Sequence, residues 1–207
     1  MYLPFAGLIL AAGSSSRMGR PKALLPIGTD TFVSRMVTTM MNGGVCQVVV
    51  VASSQSARGI QAALAGNRAD DPATLVENPR PENGQLSSLL VGLDALERSD
   101  VAGVLVCPVD MPLFTEATVH AILTAARTTA AAIIRPSSEG RHGHPVLFTR
   151  RTFADLRHAD LALGARAVVQ ARVDDTADVE VDDPGAFIDI DTPEDYRRWI
   201  GELGIRE

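Results

Sequence analysis

Residues 5–22 have the sequence Phe-Ala-Gly-Leu-Ile-Leu-Ala-Ala-Gly-Ser-Ser-Ser-Arg-Met-Gly-Arg-Pro-Lys. The run from Phe5 to Ala11 is short, apolar and followed by turn residues, which predicts a buried strand. The small residues from Gly13 to Ser16 would let backbone N–H groups come close to an anion. A strand that leads directly into such a turn indicates an α/β protein with a phosphate-binding loop.

The same alternation continues along the chain and predicts a parallel sheet covered by helices. Segments of helical period separate the later apolar runs Val45–Ala52, Thr74–Glu77, Val101–Pro108 and Ala131–Pro136. Beyond these, the pattern predicts an extended stretch at His144–Phe148, a helix near Leu156–Gln170, and late strands at Val179–Val181 and Phe187–Ile190. We therefore predict one Rossmann-like domain over residues 1–207, with a mostly parallel sheet, helices on both faces and room for one antiparallel strand.

Composition excludes several classes of protein. The 207 residues are 46% hydrophobic and 21% charged, and 19 basic against 25 acidic residues give a net charge of −6. This balance argues against non-specific nucleic-acid binding. No apolar stretch approaches the roughly 18 residues needed to span a bilayer. Cys46 and Cys107 lie in apolar runs and are expected to be small buried side chains in a reducing compartment, so we expect a soluble, cytoplasmic protein.

Positive charge is concentrated in the loop after the first strand. Arg17, Arg20 and Lys22 are interleaved with its glycine and serine residues and could bind phosphate groups. The loop is not a Walker A motif, because no Lys-Ser/Thr pair follows a glycine, and no G-x-G-x-x-G dinucleotide fingerprint is present. A simple structural turn is the alternative interpretation.

The stretch from Leu10 to Pro26 resembles the signature loop of nucleotidyltransferases, particularly the molybdenum cofactor cytidylyltransferases among the MobA-like proteins. The resemblance implies the nucleotide-diphospho-sugar transferase type of fold. It also implies that the loop wraps the triphosphate of a nucleotide, with Gly13 in backbone contact, Arg17 at the outer phosphates and Lys22 at the α-phosphate. The sequence Ala-Ala-Gly, rather than the Ala-Gly-Gly of guanylyltransferases, implies CTP. The expected nucleotide contacts in this loop are Leu10, Ala11, Ala12, Gly13, Ser14, Arg17 and Lys22.

Carboxylates at two later positions could hold a divalent cation. Asp110 follows the fourth apolar run, where open α/β sheets place ligands, although a turn aspartate is the alternative. In the family an aspartate here binds Mg²⁺. The segment from Asp189 to Asp195 resembles the family's late motif; Asp191 is the expected second ligand and Asp189 the next candidate, since alternation in a strand would point both to one face. Thr192 and Pro193 predict the start of a final helix.

Two further segments are candidates for substrate contacts. Asn78, Gly84, Ser87 and Ser88 lie between a strand and a helix, and the resemblance implies that they line the nucleotide pocket; a helix N-cap is the alternative for Ser87. The Gly-His-Pro-Val segment at His144 lies on the acceptor side in the family. For His144, the alternative is a histidine at a strand end with a backbone partner. Two histidines without a third ligand make a poor zinc site.

The resemblance implies an enzyme that transfers CMP from CTP to the terminal phosphate of molybdopterin or molybdenum cofactor, releasing pyrophosphate. Lys22, Arg17 and Asp110 are the expected catalytic residues, Mg²⁺ the expected cofactor, and a molybdoenzyme a potential recipient of the product. Three alternatives remain open: a cytidylyl or uridylyl transferase acting on a sugar or polyol phosphate, a non-catalytic cofactor-maturation protein, and a redox enzyme using a nicotinamide cofactor.

Overall fold

The computed structural model describes residues 4–15, 18–65, 73–97 and 100–202. Over these ranges the chain forms an eight-stranded sheet in the order β10-β7-β9-β6-β1-β4-β5, with β8 paired to β7, and a separate β2–β3 hairpin. The strands of the sheet are β1 (Phe5–Ala11), β4 (Gln47–Ser53), β5 (Ala73–Asn78), β6 (Gly103–Pro108), β7 (Ile133–Ser138), β8 (Arg141–His142), β9 (Val146–Thr149) and β10 (Thr176–Glu180). The hairpin consists of β2 (Pro26–Ile27) and β3 (Asp30–Thr31).

Helices cover both faces of the sheet, as predicted. In the described ranges they are α1 (Phe32–Asn42), α2 (Ser54–Ala65), α3 (Gln85–Ala95), α4 (Glu116–Thr128), α5 (Phe153–His158), α6 (Ala165–Ala171) and α7 (Pro193–Glu202). Side chains of α1, α2, α4 and α7 join the apolar cluster on one face, and those of α3, α5 and α6 join the cluster on the other.

The alternation of side chains along β1 accounts for the two clusters. Phe5 and Ile9 belong to one cluster, Leu8 and Leu10 to the other, and all four are nearly inaccessible to solvent. Because β1 pairs in parallel with β4 on one side and β6 on the other, it is the central strand of the parallel part of the sheet. The carboxyl ends of these strands therefore meet at one edge, where the loop after β1 begins.

The later part of the sheet contains two reversed strands. β9 is antiparallel to both β6 and β7, the short β8 is antiparallel to β7, and β10 is parallel to β7. The predicted extended stretch at His144–Phe148 is thus confirmed, but the sheet has two antiparallel strands where the sequence predicted room for one. The reversal of β9 brings its start, and not its end, to the edge at which β6 ends.

Three further details of the prediction were wrong. Residues 187–190 form no strand: a 3-10 turn covers Pro184–Phe187, and the Ile190 amide donates to the Asp110 carbonyl oxygen at 2.7 Å instead of pairing with a sheet strand. The helix predicted near Leu156–Gln170 is divided into α5 and α6, because Gly164 has a positive φ that stops a continuous helix.

The third wrong detail is the burial of Cys46. This residue is exposed, because it follows the tight turn at Gly43 and Gly44 and precedes β4, whereas Cys107 is buried as predicted.

No helix within the described ranges is long and apolar enough to cross a bilayer.

Candidate active site

A cleft of about 310 Å³ lies at the carboxyl ends of β1 and β6. One wall is the loop after β1, the opposite wall is the start of α3, and the floor carries two carboxylates. The lining residues are Leu10, Ala12, Gly13, Ser14, Ser15, Lys22, Pro81, Gly84, Gln85, Ser88, Pro108, Val109, Asp110 and Asp191.

The loop after β1 is folded so that it presents Lys22 to the cleft. Ser15 adopts a positive φ of 48°, and its hydroxyl oxygen accepts a hydrogen bond from the Lys22 amide at 3.0 Å. This bond brings Lys22 back towards the beginning of the loop. Leu10, Ala12, Gly13 and Ser14 line the cleft, as expected from the sequence, whereas Ala11 is buried at the end of β1 and does not. Arg17, predicted to contact the outer phosphates, lies outside the described residues.

Lys22 contacts both of the carboxylates that the sequence assigns to a cation. Its Nζ lies 3.2 Å from Oδ2 of Asp110 and 2.5 Å from Oδ1 of Asp191. The lysine side chain is only 11% exposed, while the two carboxylates are 31% and 41% exposed. An ammonium group with little access to water thus lies between two acids that open onto the cleft.

The segment before α7 brings Asp191 to this position. The Ile190 amide donates to the carbonyl oxygen of Asp110, which fixes the two acidic segments to each other. Thr192 begins the helix as predicted: its hydroxyl accepts from the Asp195 amide at 3.2 Å, and the Asp195 carboxylate accepts from the Thr192 amide at 2.8 Å. The Asp195 carboxylate also accepts from the Thr192 hydroxyl at 2.7 Å, and this bond, together with the one from the Thr192 amide, lowers the pKa of Asp195. Asp189 is exposed and does not line the cleft, because residues 188–191 are not a strand in which alternate side chains share a face.

Asn78 organises the start of α3. Its buried side-chain amide donates to the hydroxyls of Ser87 at 2.9 Å and Ser88 at 3.0 Å. Ser88 and Gly84 line the cleft, but Ser87 and Asn78 do not. Gly84 is the N-cap residue of α3, so Ser87 lies inside the helix and the alternative interpretation of Ser87 as its N-cap is wrong. Asn78 instead borders a side pocket behind the loop, which Ala12 and Ser14 also line.

His144 lines a second cavity of about 710 Å³ that adjoins the cleft. Leu10, Gln85 and Pro108 border both spaces, so the two are continuous. The walls of the second cavity are mostly apolar side chains from β6, β9 and α3, with Arg135, His142 and Arg166 among them. Burial lowers the pKa of His144, and the negative charge of Asp110 opposes this effect only in part. His144 is therefore mainly neutral at pH 7.

The donor set at the bottom of the cleft fits a divalent cation. Asp110 and Asp191 offer carboxylate oxygens, the ligands that Mg²⁺ and Mn²⁺ prefer, and their oxygens already surround a positive charge, the Lys22 ammonium. In the described ranges, no cluster of three or more His, Cys, Asp or Glu side chains could hold a metal. A cation bound here would therefore need additional oxygens from water or from substrate phosphates, which is usual for Mg²⁺.

Several cleft residues are absent from the sequence-based assignment. The sequence pattern assigns no role to four residues that line the cleft, namely Ser15, Pro81, Gln85 and Val109. Gln85 had a usable signal, since it directly follows Gly84 at the start of the helix. The importance of Ser15 depends on its unusual backbone conformation, which a serine in a serine-rich loop does not reveal.

A parallel sheet with a glycine-serine loop after its central strand, facing two acids and a lysine, defines a nucleotidyltransferase of the nucleotide-diphospho-sugar transferase fold. The family model described as MobA-like NTP transferase domain matches residues 7–177, and the chain belongs to this family.

The sequence of this chain is similar to those of several other proteins over most of its length. It is 32% identical over 165 residues to a probable molybdenum cofactor guanylyltransferase of Mycobacterium tuberculosis H37Rv, spanning 79% of this chain and 75% of the relative. It is 32% identical over 204 residues to nicotine blue oxidoreductase of Paenarthrobacter nicotinovorans, spanning 94% of this chain and 95% of the relative. The crystal structure of Rv0371c from M. tuberculosis H37Rv superposes with a TM-score of 0.79 at 25% identity, covering 96% of this chain and 98% of that one. A structure of Rv0371c in complex with manganese is also known.

Proposed function

We propose that this protein transfers a nucleoside monophosphate from CTP to the terminal phosphate of a molybdopterin-type acceptor, with release of pyrophosphate. The observation that carries the proposal is the position of Lys22 between Asp110 and Asp191, at the bottom of a cleft walled by the glycine-serine loop. Family membership and the guanylyltransferase relative support the reaction class and the acceptor.

In the proposed reaction, an oxygen of the acceptor's terminal phosphate attacks the α-phosphorus of the nucleotide. A new phosphorus–oxygen bond forms, the bond from the α-phosphorus to the bridging oxygen breaks, and pyrophosphate leaves with that electron pair. The attacking oxygen is already an anion, so the protein needs no general base. Its task is to position two anions and to stabilise the charge that accumulates at the α-phosphate.

Each group at the cleft has a defined task in this reaction. The backbone of Gly13 and Ser14 binds the triphosphate, and Lys22 donates to the α-phosphate once the nucleotide draws it away from the two acids. Asp110 and Asp191 would hold Mg²⁺, which neutralises phosphate charge and orients the leaving group when bound. The manganese complex of the structural neighbour supports a divalent cation in this fold.

The preference for CTP over GTP is assigned to Ala12. Ala12 lines both the cleft and the side pocket that also contains Asn78 and Gln55. Its methyl group reduces the space at this junction, whereas glycine, which the guanylyltransferase loops are expected to carry here, leaves more room for a purine. The smaller cytosine base therefore fits the wild-type loop better.

The second cavity is the proposed acceptor site. Its apolar walls fit a flat heterocycle, and Arg135, Arg166 and the neutral His144 fit its phosphate and polar edge. A sugar or polyol phosphate would leave most of these apolar walls without a partner. This contrast favours a pterin over the sugar-phosphate alternative.

The test is pyrophosphate release with CTP, GTP, ATP and UTP, each with molybdenum cofactor, its metal-free pterin precursor, or a sugar phosphate. Release with CTP and the pterin, dependent on Mg²⁺, is the expected result, and Ala12→Gly should shift the preference towards GTP. If only a sugar phosphate is turned over, the proposed pterin acceptor is wrong. If the wild-type protein releases pyrophosphate from GTP, the proposed preference for CTP is wrong. Absence of release with every pair would support a non-catalytic maturation protein.

A redox function is the second candidate, because the match to nicotine blue oxidoreductase spans nearly the whole of both chains. The described loop offers the same phosphate contacts to the pyrophosphate of a dinucleotide. The discriminating assay follows absorbance at 340 nm with NADH or NADPH and a quinonoid dye. Oxidation of the nicotinamide without any pyrophosphate release would replace nucleotidyl transfer by the redox function.

A further inference from the structure

Asp183 is a buried carboxylate that lies outside the cleft and has no role in the proposed chemistry. It is 6% exposed and precedes the 3-10 turn Pro184–Phe187. One oxygen, Oδ2, accepts hydrogen bonds from the Thr115 amide at 2.8 Å, the Thr115 hydroxyl at 2.9 Å and the Thr118 hydroxyl at 2.5 Å. The other, Oδ1, accepts from the Gly185 amide at 3.1 Å.

These bonds join two segments that are far apart in the sequence. Thr115 and Thr118 belong to the first turn of α4, directly after the loop that carries Asp110. Asp183 begins the segment that ends at Asp191. Since a buried carboxylate is costly unless its oxygens are satisfied, the set of four donors fixes one docking position for this segment.

Three more contacts extend the connection to the cleft and the second cavity. Gly185 packs so tightly that a Cβ there would lie 2.1 Å from the Leu113 carbonyl oxygen. The Ala186 carbonyl oxygen accepts from the His144 amide at 2.8 Å, and the Ile190 amide donates to Asp110 at 2.7 Å. The segment 183–191 therefore touches the backbone of a proposed acceptor contact and that of a proposed cation ligand.

We propose that Asp183 is a positioning residue that sets the register of residues 183–191, and through it the placement of Asp110, Asp191 and His144. The expected effect on turnover rests on the proposed function, whereas the expected effect on the position of residues 183–191 does not. Asp191, at the end of this segment, contacts Lys22 of the loop after β1 at 2.5 Å. Asp183 should accordingly control turnover and acceptor use through the placement of these groups.

The test compares two variants of Thr118, which is 1% exposed and donates to Asp183. Thr118→Val keeps the shape and loses the hydroxyl, whereas Thr118→Ser keeps the hydroxyl. Asp183→Asn is the second variant, for use if Thr118→Val fails to fold. The readouts are amide hydrogen exchange at Ile190 and His144 in the protein without ligands, and kcat and KM for the acceptor.

We expect Thr118→Val to raise exchange at Ile190 by about tenfold or more, because a hydrogen bond to a buried charge is lost. The kcat should fall by about ten- to a hundredfold, as expected when reacting groups are misplaced. Thr118→Ser should retain most of the wild-type values. Unchanged exchange at Ile190, or equal losses of turnover in Thr118→Val and Thr118→Ser, would overturn the proposal.

The two proposals can fail separately. If the wild-type protein transfers no nucleotide to any acceptor, the proposed function is wrong, yet the exchange measurement still decides whether Asp183 fixes the segment. If the wild type is active and Thr118→Val exchanges and turns over like Thr118→Ser, only the positioning role is wrong.

Discussion

Replacement of Lys22 by methionine separates the chemical role of the lysine from its structural one. Methionine keeps most of the side-chain volume and removes the charge. In the protein without ligands, the substitution leaves Asp110 and Asp191 facing each other without their shared cation. In the reaction, it removes the group proposed to stabilise charge at the α-phosphate.

The two effects should differ greatly in size. Because Asp110 and Asp191 are 31% and 41% exposed, solvent screens their interaction with Lys22, and we expect a loss of about 1 kcal/mol in the free energy of unfolding. For a chain of this length that corresponds to about 2–4 °C in Tm. Loss of one preorganised donor to a transition-state anion lowers kcat by about 10²-fold or more.

The assay is pyrophosphate release at saturating nucleotide and acceptor, with thermal unfolding measured on the same samples. Arg20→Met is the matched control, since Arg20 is an exposed cation of the same loop that does not line the cleft. Adding Asp191→Asn to Lys22→Met should restore part of the lost stability, because it removes the repulsion between the carboxylates of Asp110 and Asp191. A Lys22→Met enzyme with wild-type kcat would refute the assignment of Lys22 to the α-phosphate.

Three further predictions concern single positions. Asp191→Asn should fold normally and lose Mg²⁺-dependent turnover, whereas Asp189→Asn should stay within twofold of wild type; equal losses in steady-state assays would contradict the assignment of the second carboxylate. Burial lowers the pKa of His144, so the unfolded chain takes up this proton more readily and stability falls as the pH drops below about 6.5. His144→Gln should therefore lose less stability than wild type between pH 7 and 5 in urea titrations, and an unchanged loss would count against this sign. In Gly143→Ala the new Cβ would lie 2.2 Å from the Ala186 carbonyl oxygen, so thermal unfolding should report a loss of about 1–3 kcal/mol, and an unaltered Tm would disprove the close packing.

The first half of the fold was predictable because its signals are local. The bounds of β1 follow from one apolar run, which ends where Ala12 and Gly13 begin the loop. The segment between the first two apolar runs has helical period and forms α1, and Thr31 caps this helix with Ser34 as the reciprocal partner. Such segments carry the information for their own conformation, so periodicity and turn chemistry suffice.

The later part of the site depended on partners that are distant in sequence. Residues 187–190 have the composition of a strand, but the Ile190 amide finds the carbonyl oxygen of Asp110, 80 residues earlier, instead of a neighbouring strand. Asp183 looks like an ordinary turn residue until α4 supplies Thr115 and Thr118 as its donors. Nothing in the local pattern reveals these contacts, and this is why Asp189 remained a candidate after Asp191 in the sequence.

The antiparallel strand β9 separates two parts of the sheet that differ in how extensively their strands are hydrogen-bonded. It pairs with β6 from Gly103 to Val106 and with β7 only at Ile133 and Ile134, whereas β1 is paired with both neighbours along nearly its whole length. Local unfolding should therefore begin along β9, releasing the strands beyond it while β5, β4, β1 and β6 stay folded. The nucleotide cleft belongs mainly to the persistent part and the second cavity to the labile one. On the proposed function, such a division would let the acceptor site open to release product while the nucleotide cleft keeps its shape.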